Sequence, residues 1–200
     1  LPLARLAIEA GLSVSGLDLD QRVVDRLNSG DSPVDNISDA ALAEMIARGF
    51  SATTDPTQLG STSNVAVCVP TPAIDGEPDL QHLFAAIELT ADYLTPGQLV
   101  LIESTVFPGV CDELLLPMLE GDGLVAGRDF NLATAPSRID LTETDADLRS
   151  LPRIVAGHTH ACGERAAGFY SRLYDTVIQL NSLRDVEFAQ LAEVAFEQVN

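Results

Sequence analysis

The sequence predicts an α/β fold built on a doubly wound parallel sheet with helices on both faces. Three observations carry that prediction. Short apolar runs such as Val65-Ala66-Val67-Cys68-Val69 and Leu99-Val100-Leu101-Ile102 read as strands buried on both sides. Segments of helical periodicity stand between them, the clearest at 79–94, where Leu80, Leu83, Phe84, Ile87, Ala91 and Leu94 recur at spacings of three, four and seven. Alternation of the two is the pattern of right-handed β-α-β crossovers.

Taken in order, residues 2–11 predict a helix, with Pro2 suited to a first turn, Leu3, Leu6, Ala7 and Ala10 on one face, and Gly11 as its stop. Ser13 to Asp18 predicts a short strand, followed by a helix over 21–28 that stops at Ser29-Gly30. A Pro/Asp/Asn loop leads to a small helix at 39–48, then to Ser51-Ala52-Thr53 and to the buried run 65–69. Beyond the 79–94 helix come a strand at 99–102, a helix at 110–119 and a strand at 130–134. The Asp/Thr-rich stretch from Asp140 to Asp147 is the most polar and reads as a surface loop. A strand at 154–156, a helix at 160–173 and a strand at 177–180 follow. The last helix starts near Ser182, with Phe188, Leu191, Ala192, Ala195 and Val199 on its apolar side.

Two hundred residues, 46% of them hydrophobic, suffice for one well-buried core. Thirty acidic residues against 11 basic ones give a net charge of −19, and every basic residue is arginine. Such a chain repels nucleic acid and anionic membrane surfaces, so neither is an expected partner. No apolar run approaches the ~20 residues that span a bilayer, and the start lacks the order of a secretory signal, so a cytoplasmic location is expected. Cys68, Cys111 and Cys162 show neither even count nor paired spacing, which argues against a disulfide framework. His158, His160 and Cys162 alternate across a strand-to-helix turn, where side chains rarely converge on one ion, and no metal is expected.

Asp18 closes its strand as Gly16-Leu17-Asp18. A carboxylate at the end of the second strand is where dinucleotide-binding sheets hold the adenosine ribose hydroxyls, and beside it a 2′-phosphate would meet like-charge repulsion. Spacing alone weighs that reading equally with a solvated strand-end carboxylate. In such folds a strand and a glycine-rich turn come first; this sequence opens on a helix, and both are expected to lie upstream of Leu1.

Three segments, taken together, are more specific than any of these signals. Cys68-Val69-Pro70-Thr71-Pro72, Asp75-Gly76-Glu77-Pro78-Asp79-Leu80 and Glu103-Ser104-Thr105-Val106-Phe107-Pro108-Gly109 resemble, in order and spacing, the UDP-glucose/GDP-mannose dehydrogenase family. Leu1-Pro2-Leu3-Ala4 resembles the stretch after that family's glycine-rich loop, Thr53-Thr54-Asp55 its third-strand region and Pro152 to Gly157 its sixth-strand region, so the likeness runs along essentially the whole chain. The prolines at 70 and 72 hold their neighbours extended and turn the strand end into an open shelf at the sheet's carboxyl edge, where ligands sit.

The resemblance implies a Rossmann-type NAD-binding domain over 1–181, without its first strand and glycine-rich loop. It implies that 182–200 begin a helix linking to a central dimerisation domain. It implies NAD-dependent oxidation of the C6 alcohol of a UDP-sugar to a uronic acid, in a homodimer. Asp18, Arg22, Val69, Pro70, Thr71, Ser104 and Thr105 would contact cofactor, with Ser104 and Thr105 beside the nicotinamide and the reacting carbon. Arg138 and Asn200 would contact substrate, and Val199-Asn200 is more like the UDP-N-acetyl-aminosugar branch. A cysteine downstream of Asn200 would capture the aldehyde as a thiohemiacetal, so these residues alone are expected to be inactive.

The match departs at three catalytic positions. Ser137 stands where the family has glutamate, Gln190 where it has lysine and Val194 where it has asparagine. A serine is a poor base, glutamine brings no charge and valine no donor. A catalytically weakened homologue that binds NAD or a nucleotide sugar is therefore the rival expectation; an interaction module on the same scaffold is a third, with no positive support.

Overall fold

The computed structural model describes residues 1–121, 123–136 and 148–199, with backbone alone at 194 and 197–199. The chain divides into two compact units. The first holds Leu1–Pro56 with the described parts of 139–151 and 172–176; the second holds the rest from Thr57 onward.

In the first unit, helix α1 (Pro2–Glu9) leads to strand β1 (Ser15–Leu17) and helix α2 (Gln21–Ser29). The Asp20 side chain caps α2 by accepting the Arg22 N–H. Helix α3 (Asp39–Ala47), capped by Ser38, leads to strand β2 (Ser51–Thr53), which pairs parallel with β1 from Ser15↔Ser51 to Leu17↔Thr53. The Asn28 amide grips β2, donating to the Ala52 carbonyl at 2.9 Å and accepting the Ala52 N–H at 2.8 Å, and so stands in for a neighbouring strand. Ile8, Val24, Leu27, Leu42, Met45 and Phe50 form the core. A Cβ on Gly16 would lie 3.3 Å from the Phe50 ring, so the small residue lets ring and strand approach.

The second unit is a five-stranded sheet in the order β3-β6-β7-β8-β9. Strand β3 (Asn64–Val67) is followed by a two-residue hairpin, β4 (Ala73–Ile74) and β5 (Glu77–Pro78), and by helix α4 (Gln81–Asp92). Strand β6 (Leu99–Ile102) leads into π-helical turns at Val110–Leu115 that tighten into α5 (Leu116–Leu119). Then come β7 (Asn131–Thr134), β8 (Arg153–Gly157), α6 (His160–Tyr170), β9 (Val177–Gln179) and α7 (Leu183–Val199). Side chains alternate across the strands. Val65, Val67, Val100, Ile102, Leu132 and Ala156 pack with α4, α5 and α7 in one cluster. Leu99, Leu101, Ala133 and Val155, all fully buried, face the other way, the side on which Gly157 meets α6 at Cys162 and Gly163.

The α/β prediction with helices on both sheet faces holds, with three differences. Strands β3, β6 and β7 are parallel, but β8 runs antiparallel to β7 and β9 parallel to β8. Among the described residues no helix lies between β7 and β8, and a strand reached without a crossover helix can return antiparallel. The run 65–69 is not buried throughout: Val65 and Val67 are, whereas Ala66 and Cys68 are exposed. Here β3 is the sheet edge, and α6 packs on β6 to β9, leaving that face of β3 open. The third difference is the seating of α7. Phe188, Leu191, Ala192 and Ala195 are exposed, and Leu183, Val186, Glu187 and Gln190 face inward. The loop expected at 140–147 lies outside the described residues.

Candidate functional site

In the second unit the shelf after β3 and the tip after β6 are joined. The Ser104 hydroxyl donates to the Val69 carbonyl at 2.7 Å and accepts the Val69 N–H at 3.1 Å. Thr71 Oγ1 donates to the Thr105 carbonyl at 2.7 Å. Two hydroxyl side chains thus splice segments 34 and 35 residues apart into one edge. Buried Ser104 has donor and acceptor both engaged with the shelf, so it shapes the edge from beneath. Thr71 and Thr105 are half-buried and Pro70 is exposed.

Helix α7 closes the edge from the side. Gln190 Nε2 donates to Thr105 Oγ1 at 2.9 Å. The same helix holds Glu187, fully buried, whose Oε2 accepts the Gly109 N–H at 2.6 Å and Oε1 the Cys111 N–H at 2.9 Å. Gly109 sits at φ 101°, a left-handed conformation that costs glycine little and aims its N–H at the carboxyl group. Burial, then the Glu187 carboxyl group beside it, pushes the Cys111 thiol well above its ordinary value. Sequence reading missed Glu187 because it took the more apolar face of the helix as the buried one. The spacing 183, 186, 187 and 190, equally helical, was the available signal.

Behind the tip lies a charged cluster that no local pattern announces. Glu103 accepts from the Arg153 guanidinium and from the Tyr170 hydroxyl, and Arg153 also donates to the Ala135 carbonyl. The guanidinium lies 5.0 Å from the centre of the Tyr170 ring. Arg153 thereby ties the ends of β6 and β7 together. Burial, and next to it the Glu103 charge, pushes the Tyr170 phenol well above its ordinary value.

In the first unit Asp18 follows β1 and is half-buried. Its N–H donates to the Thr53 carbonyl at 3.1 Å and its Oδ1 accepts the Asp20 N–H at 2.9 Å. Among the described residues its Oδ2 has no hydrogen-bond partner, which fits an acceptor for a ribose hydroxyl. The Arg22 guanidinium is exposed and paired with Asp20 at 2.7 Å. Hydrogen bonds from Arg22 hold the Asp20 carboxyl down to about 2. Ser137, Arg138 and Asn200 lie outside the described residues, as does the side chain of Val194.

Among the described residues no three His, Cys, Asp or Glu side chains are grouped to hold a metal. His158 Nδ1 lies 3.3 Å from Asp112 Oδ1. The three cysteines are free, Cys111 and Cys162 buried and Cys68 exposed.

The family model described as "UDP-glucose/GDP-mannose dehydrogenase family, NAD binding domain" matches residues 1–177. A UDP-N-acetyl-D-mannosamine dehydrogenase of Pyrococcus horikoshii is 32% identical over 206 residues, covering all of this chain and 48% of the relative. The structure of the P. horikoshii dehydrogenase superposes with a TM-score of 0.91 at 30% identity, over 99% of this chain and 48% of that one. The NDP-N-acetyl-D-galactosaminuronic acid dehydrogenase of Methanosarcina mazei gives 0.88 at 30% identity, over 98% and 44%. This chain therefore spans about half the length of the relatives it matches. A match over 177 residues that includes the spliced shelf and tip shows that the chain belongs to the UDP-glucose/GDP-mannose dehydrogenase family and represents its NAD-binding domain.

Proposed function

We propose that the chain supplies cofactor binding to an NAD-dependent nucleotide-sugar 6-dehydrogenase, which oxidises the C6 alcohol of a UDP-N-acetyl-aminosugar to a uronic acid. The observation that carries this reading is the convergence of Thr71, Thr105 and Gln190 on one sheet edge, from three separate elements. The relatives' names supply the substrate class. In this reading residues 1–181 are the NAD-binding domain, and 182–200 begin the helix to a central domain through which the protein forms a homodimer in the cytoplasm. Among the described residues no helix is long and apolar enough to cross a membrane.

NAD bound at this domain would supply a hydride acceptor for the alcohol carbon. The residues of this chain have other tasks. Asp18 Oδ2 would accept from the ribose hydroxyls of a bound dinucleotide and would repel a 2′-phosphate. Pro70 and Thr71 would offer the cofactor a shelf at the sheet's carboxyl edge. Thr105 Oγ1, held by Gln190, would offer a neutral hydroxyl near the reacting sugar carbon. By the family resemblance Arg138 and Asn200 would contact the substrate and Ser137 would serve the hydrolytic step; all three lie outside the described residues. Cys111 and Cys162 are closed to water, and neither is proposed as the nucleophile of the second oxidation.

The test is to mix the protein as the cell makes it with NAD and a panel of UDP-sugars while following NADH absorbance. A rise with N-acetyl-aminosugars is expected. A flat trace with measurable NAD binding would instead favour a weakened, ligand-binding homologue.

A further inference from the structure

We propose that Glu187 is a positioning residue that sets the contact between Gln190 and Thr105, an inference that rests on the reading of those two as site residues. Glu187 lies one turn before Gln190 on α7, so both project from nearly the same side. Its carboxyl group uses both oxygens on backbone N–H groups of one segment, Gly109 at 2.6 Å and Cys111 at 2.9 Å. That segment leaves the Ser104-Thr105 tip four residues earlier and opens the π-helical turns at Val110, so its N–H groups carry the positive end of a helix. An acidic side chain that meets two orphan donors there fixes the sliding of α7 along its axis and its rotation. One turn earlier on α7, exposed Arg184 pairs with Glu113 of the same turns.

The consequence reaches the site directly. The Gln190–Thr105 contact is a single neutral hydrogen bond of 2.9 Å between two side chains 85 residues apart. A bond of that kind does not hold a helix in register, whereas a bidentate carboxyl group on rigid backbone does. Glu187 is fully buried, and its two carboxyl oxygens are taken up by the Gly109 and Cys111 N–H groups.

The perturbation is Glu187→Gln. It keeps the size, but turns one acceptor into an NH2 group facing a backbone N–H, so one of the two anchors is lost. The protein as the cell makes it is assayed for NADH formation, and the variant is crystallised. Misplacing a reactive group by an ångström can cost on the order of 100-fold in rate. The expected result is a kcat about 10- to 100-fold lower with KM for NAD changed less than about threefold, and a Gln190–Thr105 distance beyond hydrogen-bonding range in the crystal. In a Gln190→Ala background the same substitution should have little further effect on kcat. Arg184→Met, which cuts the exposed clamp, should keep kcat near the parent value. The proposal is overturned by an unchanged Gln190–Thr105 contact, by full additivity with Gln190→Ala, or by an equal kcat loss in Arg184→Met. If the parent protein forms no NADH with any nucleotide sugar, the functional reading fails, and the crystal structure alone still decides the positioning role.

Discussion

Replacing Arg153 with methionine removes the cation from a cluster closed to water. The Arg153 and Glu103 side chains are each 3% exposed, and Tyr170 is fully buried. The variant strips the Glu103 carboxylate of its cationic partner, the Ala135 carbonyl of a donor and the Tyr170 ring of the guanidinium above it. Breaking a buried pair from one side costs roughly 3–5 kcal/mol, because the remaining charge is left uncompensated. The lost carbonyl bond and ring contact overlap with that figure and are not added to it. A loss of about 4 kcal/mol is expected, which for a chain of this size lowers Tm by roughly 10 °C. Urea unfolding followed by circular dichroism measures it, with Glu103→Gln and the double variant completing a cycle. Methionine and glutamine together bury no charge, so the double variant should recover about 2 kcal/mol relative to Arg153→Met alone. A single-variant loss under about 1 kcal/mol, or a double variant as poor as the sum of the singles, would refute the coupling of the pair.

Further outcomes follow from the other groups. Tyr170, pushed up by burial and Glu103, stabilises fully below its unfolded value of about 10, and that share is lost as pH rises and the unfolded chain releases the proton. Tm should therefore fall more steeply above pH ~10 in the parent than in Tyr170→Phe; parallel curves would contradict this. Thr105→Val should lower kcat by about 100-fold while Thr105→Ser keeps most of it, measured as NADH formation; equal activity of the two would remove the hydroxyl from the chemistry. Gly16→Ala brings a methyl group within 3.3 Å of Phe50 and should cost about 1 kcal/mol in urea unfolding, whereas a stabilised variant would mean the ring has room to move.

Elements whose signal is local were legible in the sequence. The 79–94 periodicity marked α4, and the fully apolar β6 could be placed from four residues. The β4–β5 hairpin escaped notice because two-residue strands are too short to show a period, although Asp75-Gly76, with φ of 54° and 85°, was a turn signal. The shelf and tip were legible only through the family likeness. That Ser104 would be spent on Val69 and Thr71 on Thr105 depends on parallel pairing of strands 35 residues apart. The Glu103–Arg153–Tyr170 cluster joins residues 50 and 67 apart, and no window of sequence contains it. On α7 the hydrophobic stripe misled, because the inward face carries Glu187 and Gln190 and the outward one Phe188 and Leu191.

In the proposed function Asp18 selects a dinucleotide with a free ribose 2′-hydroxyl. Titration calorimetry with NAD and NADP, on the parent and on Asp18→Asn, tests it most directly. Saturable NAD binding is expected, with NADP at least about 10-fold weaker, and Asp18→Asn should lose about 10- to 100-fold in NAD affinity with Tm nearly unchanged. A folded protein that gives no heat with NAD, or an Asp18→Asn variant that loses stability and affinity in equal measure, would contradict it.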